Sequence, residues 1–202
     1  MIIIKKLPAL LLFALIGTTS AHANDKLITM CNDCHGSDGV SMESDMPSIA
    51  GISETSISDM LFNYVDGGRP AAKGKFRHGD TTRPETDMIE IAKAMSEEEI
   101  EHVAKYYGAK DFTPAKQKFD AELAQKGEKI HQKNCTKCHD EGGSIKDDDA
   151  SILAGQWSTY LASAFAEYQA KKRVTEDKMQ SSIDALSDEQ IQALIHYYAS
   201  LQ

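Results

Sequence analysis

The sequence contains the pattern C-x-x-C-H twice, at residues 31–35 and 135–139, and these two copies hold all four cysteines of the chain. Two cysteines at this spacing place their thiols about one helical turn apart, where each can form a thioether to one edge of a porphyrin. The histidine that follows can then ligate the iron. The pattern therefore predicts two covalently attached haem c groups. The expected attachment and ligand residues are Cys31 and Cys34 with His35, and Cys135 and Cys138 with His139.

Three other uses of paired cysteines fit this sequence less well. A zinc site would need the two pairs about 15 to 20 residues apart, whereas Cys31 and Cys135 are 104 residues apart. A thioredoxin-like redox pair would need a strand-rich βαβ context, and the sequence has no strand-rich stretch. Disulfides, the usual role of cysteines in exported proteins, would leave the repeated histidine without a purpose.

The N-terminus has the features of a secretory signal peptide. Lys5 and Lys6 precede an apolar run over residues 7–16, and Ala21-His22-Ala23 is a small-residue cleavage pattern. The apolar run is well short of the roughly 20 residues that a membrane-spanning helix needs. We therefore predict that residues 1–23 direct export to the periplasm and are cleaved off, which leaves no membrane span in the mature chain.

The net charge of the chain restricts the classes of molecule that it can bind. Loss of residues 1–23 removes Lys5 and Lys6 and no acidic residue, so the formal net charge changes from −9 to −11. Such an acidic chain is unsuited to binding nucleic acid, whose phosphates attract basic surfaces. A positively charged redox protein is the expected partner.

The second half of the chain repeats the first. An offset of 104 residues aligns the two haem motifs and continues without a gap to Arg69 and Arg173. From Met88 onward the offset is 91, because residues 70–87 of the first half face only residues 174–178 of the second. A repeat of this length indicates two domains. We predict a first domain at residues 24–112 and a second at residues 113–202.

Each half is predicted to be helical. Ser96 with Glu99, and Ser187 with Gln190, have the spacing of capping boxes at the start of a C-terminal helix. We expect middle helices at about residues 56–64 and 158–170. A long helix over residues 115–133 is expected to open the second domain and to lead directly into its haem motif.

The repeat also predicts the second ligand of each iron. Met179 is the only methionine of the second half, and it aligns with Met88. The histidines outside the two motifs have no histidine counterpart in the other half, and His78, in the unmatched loop, is the one competing ligand that we retain. His/Met ligation would leave no open position on either iron, which favours electron transfer over catalysis.

Other residues allow more than one interpretation. Arg69 and Arg173 could neutralise haem propionates or lie exposed at helix ends. Residues 73–78 form a basic stretch that could be a docking site or a solvated loop. The aromatic residues expected to pack against haem are Trp157, Tyr160 and Tyr168.

The motifs resemble those of the dihaem cytochromes c of the cytochrome c4 type, in which two C-x-x-C-H domains each carry a methionine before an S-x-x-E/Q helix that ends in Tyr-Tyr. The resemblance covers essentially the whole mature chain. Three second-half segments are similar to the cytochrome subunit of flavocytochrome c sulfide dehydrogenase: Pro114-Ala115-Lys116-Gln117, Glu141-Gly142-Gly143 and Ile152-Leu153-Ala154-Gly155-Gln156-Trp157.

This resemblance implies an all-α fold of two tandem class I cytochrome c domains, related by a pseudo-twofold axis, with one haem each and with haem propionates facing each other near the interface. It implies a periplasmic electron-transfer subunit that is not an enzyme by itself. Such a subunit accepts electrons from a flavoprotein (FAD) sulfide dehydrogenase and passes them to a soluble acceptor. The family's ligand roles fall on His35 with Met88 and on His139 with Met179.

Two alternative functions stay open at this point. One is a free-standing dihaem carrier that serves a terminal oxidase or reductase. The other is a dihaem enzyme, such as a peroxidase or a thiosulfate dehydrogenase. An enzyme would need a displaceable or unusual iron ligand, and the aligned Met88 and Met179 argue against it.

The chain departs from the flavocytochrome subunit in two places. The loop over residues 70–87 is longer than that subunit leads us to expect. Pro47 of the first half aligns with Ser151 of the second. Since a proline there commonly packs against the proximal histidine in this family, we expect the two haems to have different environments.

Overall fold

The computed structural model describes residues 19–202, with side chains from Asp25 onward. The predicted signal peptide therefore lies almost entirely outside the described residues, and its cleavage stays a prediction. The described chain contains eight α-helices: α1 Thr19–His35, α2 Glu54–Val65, α3 Met88–Ala94, α4 Glu97–Gly108, α5 Ala121–Asn134, α6 Ser158–Gln169, α7 Asp177–Asp184 and α8 Asp188–Ser200. One isolated bridge, between Gly74 and Thr86, is the only β-pairing in this part of the chain. The predicted all-α class is confirmed.

The two halves have the same order of helices. In the first, α2 packs against both α3 and α4, and α1 contacts α4. In the second, α6 packs against α7 and α8, and α5 lies along α8. The middle helices α2 and α6 agree with the predicted ranges to within two residues. None of the helices described for residues 19–202 has the length and apolar character needed to cross a membrane.

The C-terminal helix of each half begins at the predicted capping box. The Ser96 hydroxyl accepts a hydrogen bond from Glu99 N, and the Glu99 carboxylate accepts one from Ser96 N. Ser187 and Gln190 form the same pair at the start of α8. Behind each cap an apolar stripe is buried, on α4 at Ile100, Val103, Ala104 and Tyr107, and on α8 at Ile191, Leu194, Ile195 and Tyr198.

The loop that follows each haem motif is fastened to the C-terminal helix in the same way in both halves. Gly51 N donates to Tyr107 O at 2.9 Å, and Gly155 N donates to Tyr198 O at 2.8 Å. Gly51 has a φ of 73°, and a Cβ at this position would overlap the backbone of Phe112. Only glycine combines this conformation with so close an approach. The repeat seen in the sequence is therefore present in the backbone hydrogen bonds.

The start of α5 differs from the prediction of a helix over residues 115–133. The Asp120 carboxylate accepts hydrogen bonds from Glu122 N and Leu123 N, both at 2.9 Å, and so caps the helix. The residues before it have no regular structure because they are held by the second half: Ala115 N donates to Gly155 O at 2.8 Å and Gln117 Nε2 to Gln156 O at 2.7 Å. The proposed domain boundary at residue 113 falls in this segment and stays a prediction.

Hydrogen bonds join the two halves. Gln156 is buried and pairs with the main chain of Ser48, donating from Nε2 to Ser48 O at 2.6 Å and accepting from Ser48 N at 3.2 Å. Trp157 Nε1 donates to Ser41 O at 3.0 Å. On another part of the contact, Val174 N donates to Gly68 O at 2.7 Å. The halves are thus docked through specific polar contacts.

Candidate haem-binding sites

The first haem motif lies at the C-terminal end of α1. Cys31, Cys34 and His35 occupy the last turn of this helix, so the two thiols project one turn apart, as predicted. All three line one cavity, which is open to solvent at its mouth. The walls are largely apolar and include Ile49, Ile52, Ile57, Leu61 and Val103. A large apolar cavity with a few polar groups is typical of a cofactor site.

His35 is held in the form that can ligate a metal. Its side chain is buried, and Nδ1 lies 3.0 Å from the carbonyl oxygen of Pro47. A carbonyl only accepts, so the proton is on Nδ1 and Nε2 keeps its lone pair for iron. Burial lowers the pKa of His35, and the nearby charge of Arg69 lowers it further, against the opposing Pro47 contact. The neutral imidazole that ligation requires is therefore favoured.

The structure brings Met88 to the same cavity as His35. Met88 is the first residue of α3, directly after Asp87, whose carboxylate caps the helix through Ile89 N and Glu90 N. Four other methionines also line this cavity: Met30, Met46, Met60 and Met95. The choice of Met88 as ligand therefore rests on its alignment with Met179 and stays a prediction. The side chain of the competing His78 is exposed and is not part of the cavity lining.

The second haem motif has a different local structure. Helix α5 ends at Asn134, and Cys135 to His139 form turns in which His139 N donates to Cys135 O at 3.0 Å. The thiols are therefore not carried on a helix, contrary to the geometry expected from the motif. Cys138 is exposed. Among the described residues the four cysteines form no disulfide, and no group of three or more His, Cys, Asp or Glu side chains is arranged to hold a metal ion.

His139 lacks the hydrogen bond that orients His35. Its Nδ1 is buried with no hydrogen-bond partner in the described part of the chain. Burial lowers the pKa of His139 and His131 adds to this effect, while Asp148 and the backbone of Ser151 oppose it. Ser151, which stands where the first half has Pro47, has a φ of 56°. The two proximal histidines thus have different surroundings, as the proline-to-serine difference led us to expect.

Met179, the ligand predicted for the second haem, lies on α7. It is half-buried, and its Sδ accepts a hydrogen bond from Thr175 Oγ1 at 3.1 Å. Its helix packs against α6. The ligand role of Met179 rests on the repeat and stays a prediction.

His131 is a site residue whose role the sequence did not reveal. It has an exposed fraction of 0 %, and its Nδ1 lies 3.1 Å from the Tyr198 hydroxyl. Gly127, one turn earlier on α5, lies so close to Ala193 that a side chain would overlap the α8 backbone. The spacing of four residues from Gly127 to His131 and on to Cys135 was the available signal. It places Gly127 and His131 on the face of α5 that meets α8.

Arg69 and Arg173 are buried, with exposed fractions of 7 % and 9 %, so the interpretation as exposed helix-end arginines was wrong. Each guanidinium stacks on a tyrosine of its own half, Arg69 on Tyr64 and Arg173 on Tyr168, both at 4.7 Å from the ring centroid. The stacked tyrosines occupy equivalent positions in the repeat. The arginine sites of the two halves are therefore built alike.

Buried donors on these two arginines lack acceptors within residues 19–202, which suits them to bind the carboxylates of a haem. Arg69 Nε and Arg173 Nη1 are buried donors with no acceptor in the described part of the chain. The one carboxylate near them is that of Glu167, 3.8 Å from Arg173 Nη1. A buried charge without a partner costs several kcal/mol. The propionates of a haem would supply the missing acceptors, and Arg69 lines the cavity that also holds Cys31, Cys34 and His35.

The aromatic residues predicted to pack against haem have separate positions. Tyr160 lines the cavity of the first half, although it belongs to the second. The Tyr168 ring faces Arg173, and Trp157 lies at the contact between the halves through its bond to Ser41. Contact with the first haem site is therefore supported for Tyr160.

The loop over residues 70–87 is fixed to the first half. Lys73 pairs with Glu90 and Arg77 with Asp45, both at 2.7 Å, and Arg83 pairs with Asp33. Part of the loop also lines the haem cavity, through Ala72, Gly74, Lys75, Arg77 and Thr86. The basic stretch at residues 73–78 thus covers the first cavity and is partly neutralised by acidic neighbours.

Comparisons with known proteins agree with this architecture. The family model described as "Cytochrome C oxidase, cbb3-type, subunit III" matches residues 122–197. Cytochrome c4 of Stutzerimonas stutzeri is 26% identical over 194 residues, which cover 90% of this chain and 89% of the relative. The thiosulfate dehydrogenase electron acceptor of Stutzerimonas stutzeri (strain A1501) is 29% identical over 185 residues, covering 85% and 78% of the two chains.

A solved structure shows the same fold. Reduced recombinant cytochrome c4 from Pseudomonas stutzeri superposes with a TM-score of 0.71 at 24% identity, over 92% of this chain and 100% of that one. The predicted fold of two tandem class I cytochrome c domains is confirmed. Together with the two C-x-x-C-H motifs, the likeness to the cytochromes c4 also confirms the predicted cofactors, two covalently attached haem c groups.

Proposed function

We propose that this chain is a free-standing periplasmic dihaem electron carrier of the cytochrome c4 type. The observation that carries the proposal is that a complete haem motif occurs in each half of a chain that is similar over nearly its whole length to cytochromes c4. The same likeness is consistent with the prediction that the chain is not an enzyme by itself.

The residues of the chain have distinct tasks in this function. When bound, each haem c supplies an iron that takes up and returns one electron. In the first half, Cys31 and Cys34 would fix the porphyrin edge, and His35 would ligate through Nε2. With haem bound, the largely apolar wall of the cavity would keep water away from the porphyrin. Met88 and Met179 as the remaining ligands would close both iron sites to substrates.

The narrower prediction, a haem subunit of a flavoprotein sulfide dehydrogenase that takes part in sulfide oxidation, is our second candidate. The relatives named as cytochrome c4 favour the free carrier over this subunit. One relative is, however, named as the electron acceptor of thiosulfate dehydrogenase. A dehydrogenase of a reduced sulfur compound therefore stays a candidate electron donor, with a soluble redox protein as the acceptor.

Periplasmic location is part of the proposal. The N-terminal signal predicts export, and c-type attachment at both motifs is compatible with a chain that matures outside the cytoplasm. N-terminal sequencing of the mature protein tests this point. We expect the mature chain to begin at Asn24, and an uncleaved N-terminus would contradict the predicted signal peptide.

Purification of the native protein from its source tests the functional proposal. We expect a lone chain that carries two haems, takes up two electrons reversibly and has no peroxide turnover. Stable co-purification with a flavin-containing chain would contradict the free carrier and support the subunit. Turnover of peroxide or thiosulfate by the isolated chain would contradict both electron-transfer assignments.

A further inference from the structure

Tyr160 is a residue of the second half that reaches the haem cavity of the first. It lies on α6 and lines the cavity together with His35, Pro47 and Arg69. Its backbone N donates to Ser44 O of the first half at 3.1 Å, which fixes this part of α6 against the cavity rim. The position equivalent to Tyr160 in the repeat is Ser56, whose short side chain cannot reach as far. Ser56 does contact the second half, where its Oγ accepts a hydrogen bond from Ser151 N at 3.4 Å, but none of its hydrogen bonds in the described part of the chain involves an arginine.

The Tyr160 hydroxyl contacts the buried arginine of the first half. Arg69 Nη2 donates to this hydroxyl at 3.1 Å. The Tyr64 ring stacks on the same guanidinium, whose Cζ lies 4.7 Å from the ring centroid. In the described part of the chain, the Tyr160 hydroxyl is the only hydrogen-bond acceptor of the Arg69 guanidinium. The direction of its unpartnered Nε therefore depends on a residue of the other half.

The other charged groups around Tyr160 do not replace this contact. The charge of Arg173 also lowers the pKa of Tyr160. Arg173, however, has a carboxylate in its own half, because its Nη1 lies 3.8 Å from the Glu167 carboxylate. Arg69 has no carboxylate partner among the described residues. Arg69 is therefore the arginine whose position depends most on Tyr160.

We propose that Tyr160 is a positioning residue of the first haem site, which holds the Arg69 guanidinium toward the cavity so that it neutralises haem carboxylates there. This inference rests on the proposed function, since it requires that the first half carry haem. A fixed cation near the haem favours the ferrous over the ferric state, because the ferric state carries one more positive charge. Contact between the halves would therefore raise the reduction potential of the first haem.

Substitution of single groups in the full-length holoprotein tests this proposal. The variants are Tyr160→Phe, Arg69→Gln and the double substitution, and the readout is the reduction potential of each haem, resolved by an NMR-monitored redox titration. We expect Tyr160→Phe to lower the potential of the first haem and to leave that of the second nearly unchanged. Arg69→Gln should lower it at least as far. In the Arg69→Gln background, Tyr160→Phe should have no further effect.

The matched control is Tyr168→Phe. It lies on the same helix, and its ring stacks on the equivalent arginine, but its hydroxyl makes no hydrogen bond in the described part of the chain. We expect it to leave the potential of the first haem unchanged. If Arg69→Gln does not retain two haems, Arg69→Lys takes its place, because lysine keeps the charge but lacks the planar fork that stacks on Tyr64 and bonds Tyr160.

Two outcomes would overturn the proposal. One is an unchanged first-haem potential in Tyr160→Phe, including the case in which only thermal stability falls. The other is additive shifts in the double variant, which would show that Tyr160 does not act through Arg69. Failure of the proposed function can be told apart from failure of this inference. In that case the wild-type protein itself would lack two reversible one-electron transitions.

Discussion

The two halves share a helical frame but differ around the proximal histidine. In the first, α1 runs through both cysteines to His35, whose Nδ1 donates to the Pro47 carbonyl. In the second, α5 ends before Cys135, and Nδ1 of His139 is buried without a hydrogen-bond partner among residues 19–202. The capping boxes of α4 and α8, and the hydrogen bonds from Gly51 and Gly155 to these helices, are nevertheless the same in the two halves. The two halves thus keep the same helix packing while the hydrogen bonding of the proximal histidine differs between them.

The largest expected difference between the halves comes from removing one pair of thiols. In Cys31→Ala/Cys34→Ala, the first half can form no thioether, so the covalent haem content should fall from two to one per chain. The apolar cavity would also lose the group that fills it, which should destabilise the first half. Mass spectrometry of the denatured protein measures the covalent haem. The matching change at Cys135 and Cys138 should remove the other haem, and an unchanged content would contradict the attachment sites.

The next test separates the two predicted methionine ligands. Met88→Ala should abolish the weak far-red methionine-to-iron absorption band of one haem and lower its potential, since a thioether ligand favours ferrous iron. Met179→Ala should do the same to the other haem. Met95→Ala is the control, because Met95 lines the first cavity but aligns with Leu186. Retention of both bands in Met88→Ala would show that another methionine is the ligand.

A backbone test addresses the difference between Pro47 and Ser151. Ser151 has a φ of 56°, which the proline ring cannot adopt, so Ser151→Pro should not restore the geometry of the first half. It should instead destabilise the second half by more than about 1 kcal/mol. Urea denaturation followed by circular dichroism gives the free energy of unfolding. Ser151→Gly, which tolerates a positive φ, is the control, and a stabilising effect of Ser151→Pro would contradict the described backbone.

The smallest expected effect is the ionisation of Tyr160. Burial opposes ionisation, but the charges of Arg69 and Arg173 outweigh it and lower the pKa of Tyr160 to about 8. Because the folded pKa is below that of the unfolded chain, ionisation should stabilise the fold increasingly as the pH rises from about 8 towards 10. NMR of tyrosines labelled at Cζ follows this titration. Arg69→Gln should move the midpoint to higher pH, and no tyrosine titrating below pH 9 would contradict the described cluster.

The sequence predicted those features that depend on local pattern. The capping boxes at Ser96 and Ser187, the middle helices and the helical position of Cys31 and Cys34 all agree with the structure. Helix periodicity and cap chemistry operate over a few residues, so a repeated pattern is enough to reveal them.

Features that depend on long-range contacts were beyond the sequence. The helical pattern after residue 115 gives way to an extended segment because Ala115 and Gln117 bond residues some 40 positions away. Burial of Arg69 follows from the docking of Tyr160, which is 91 residues distant. His131 is buried because Gly127 lets two helix backbones approach closely. Of these contacts, only that of His131 has a short-range signature, the four-residue spacing from Gly127.

The pairing of Gln156 with Ser48 has a consequence for how the two halves can diverge. The Gln156 amide acts as one extra peptide group, since it both donates to and accepts from the main chain of residue 48. Recognition of this kind makes no use of the side chain at position 48, whose hydroxyl instead accepts a hydrogen bond from Ser41 N within the first half at 3.1 Å. At position 156, by contrast, a carboxylate would bring an acceptor against the Ser48 carbonyl. The docking contact therefore constrains the side chain of the second half at position 156, whereas the side chain at position 48 is constrained only by contacts within its own half.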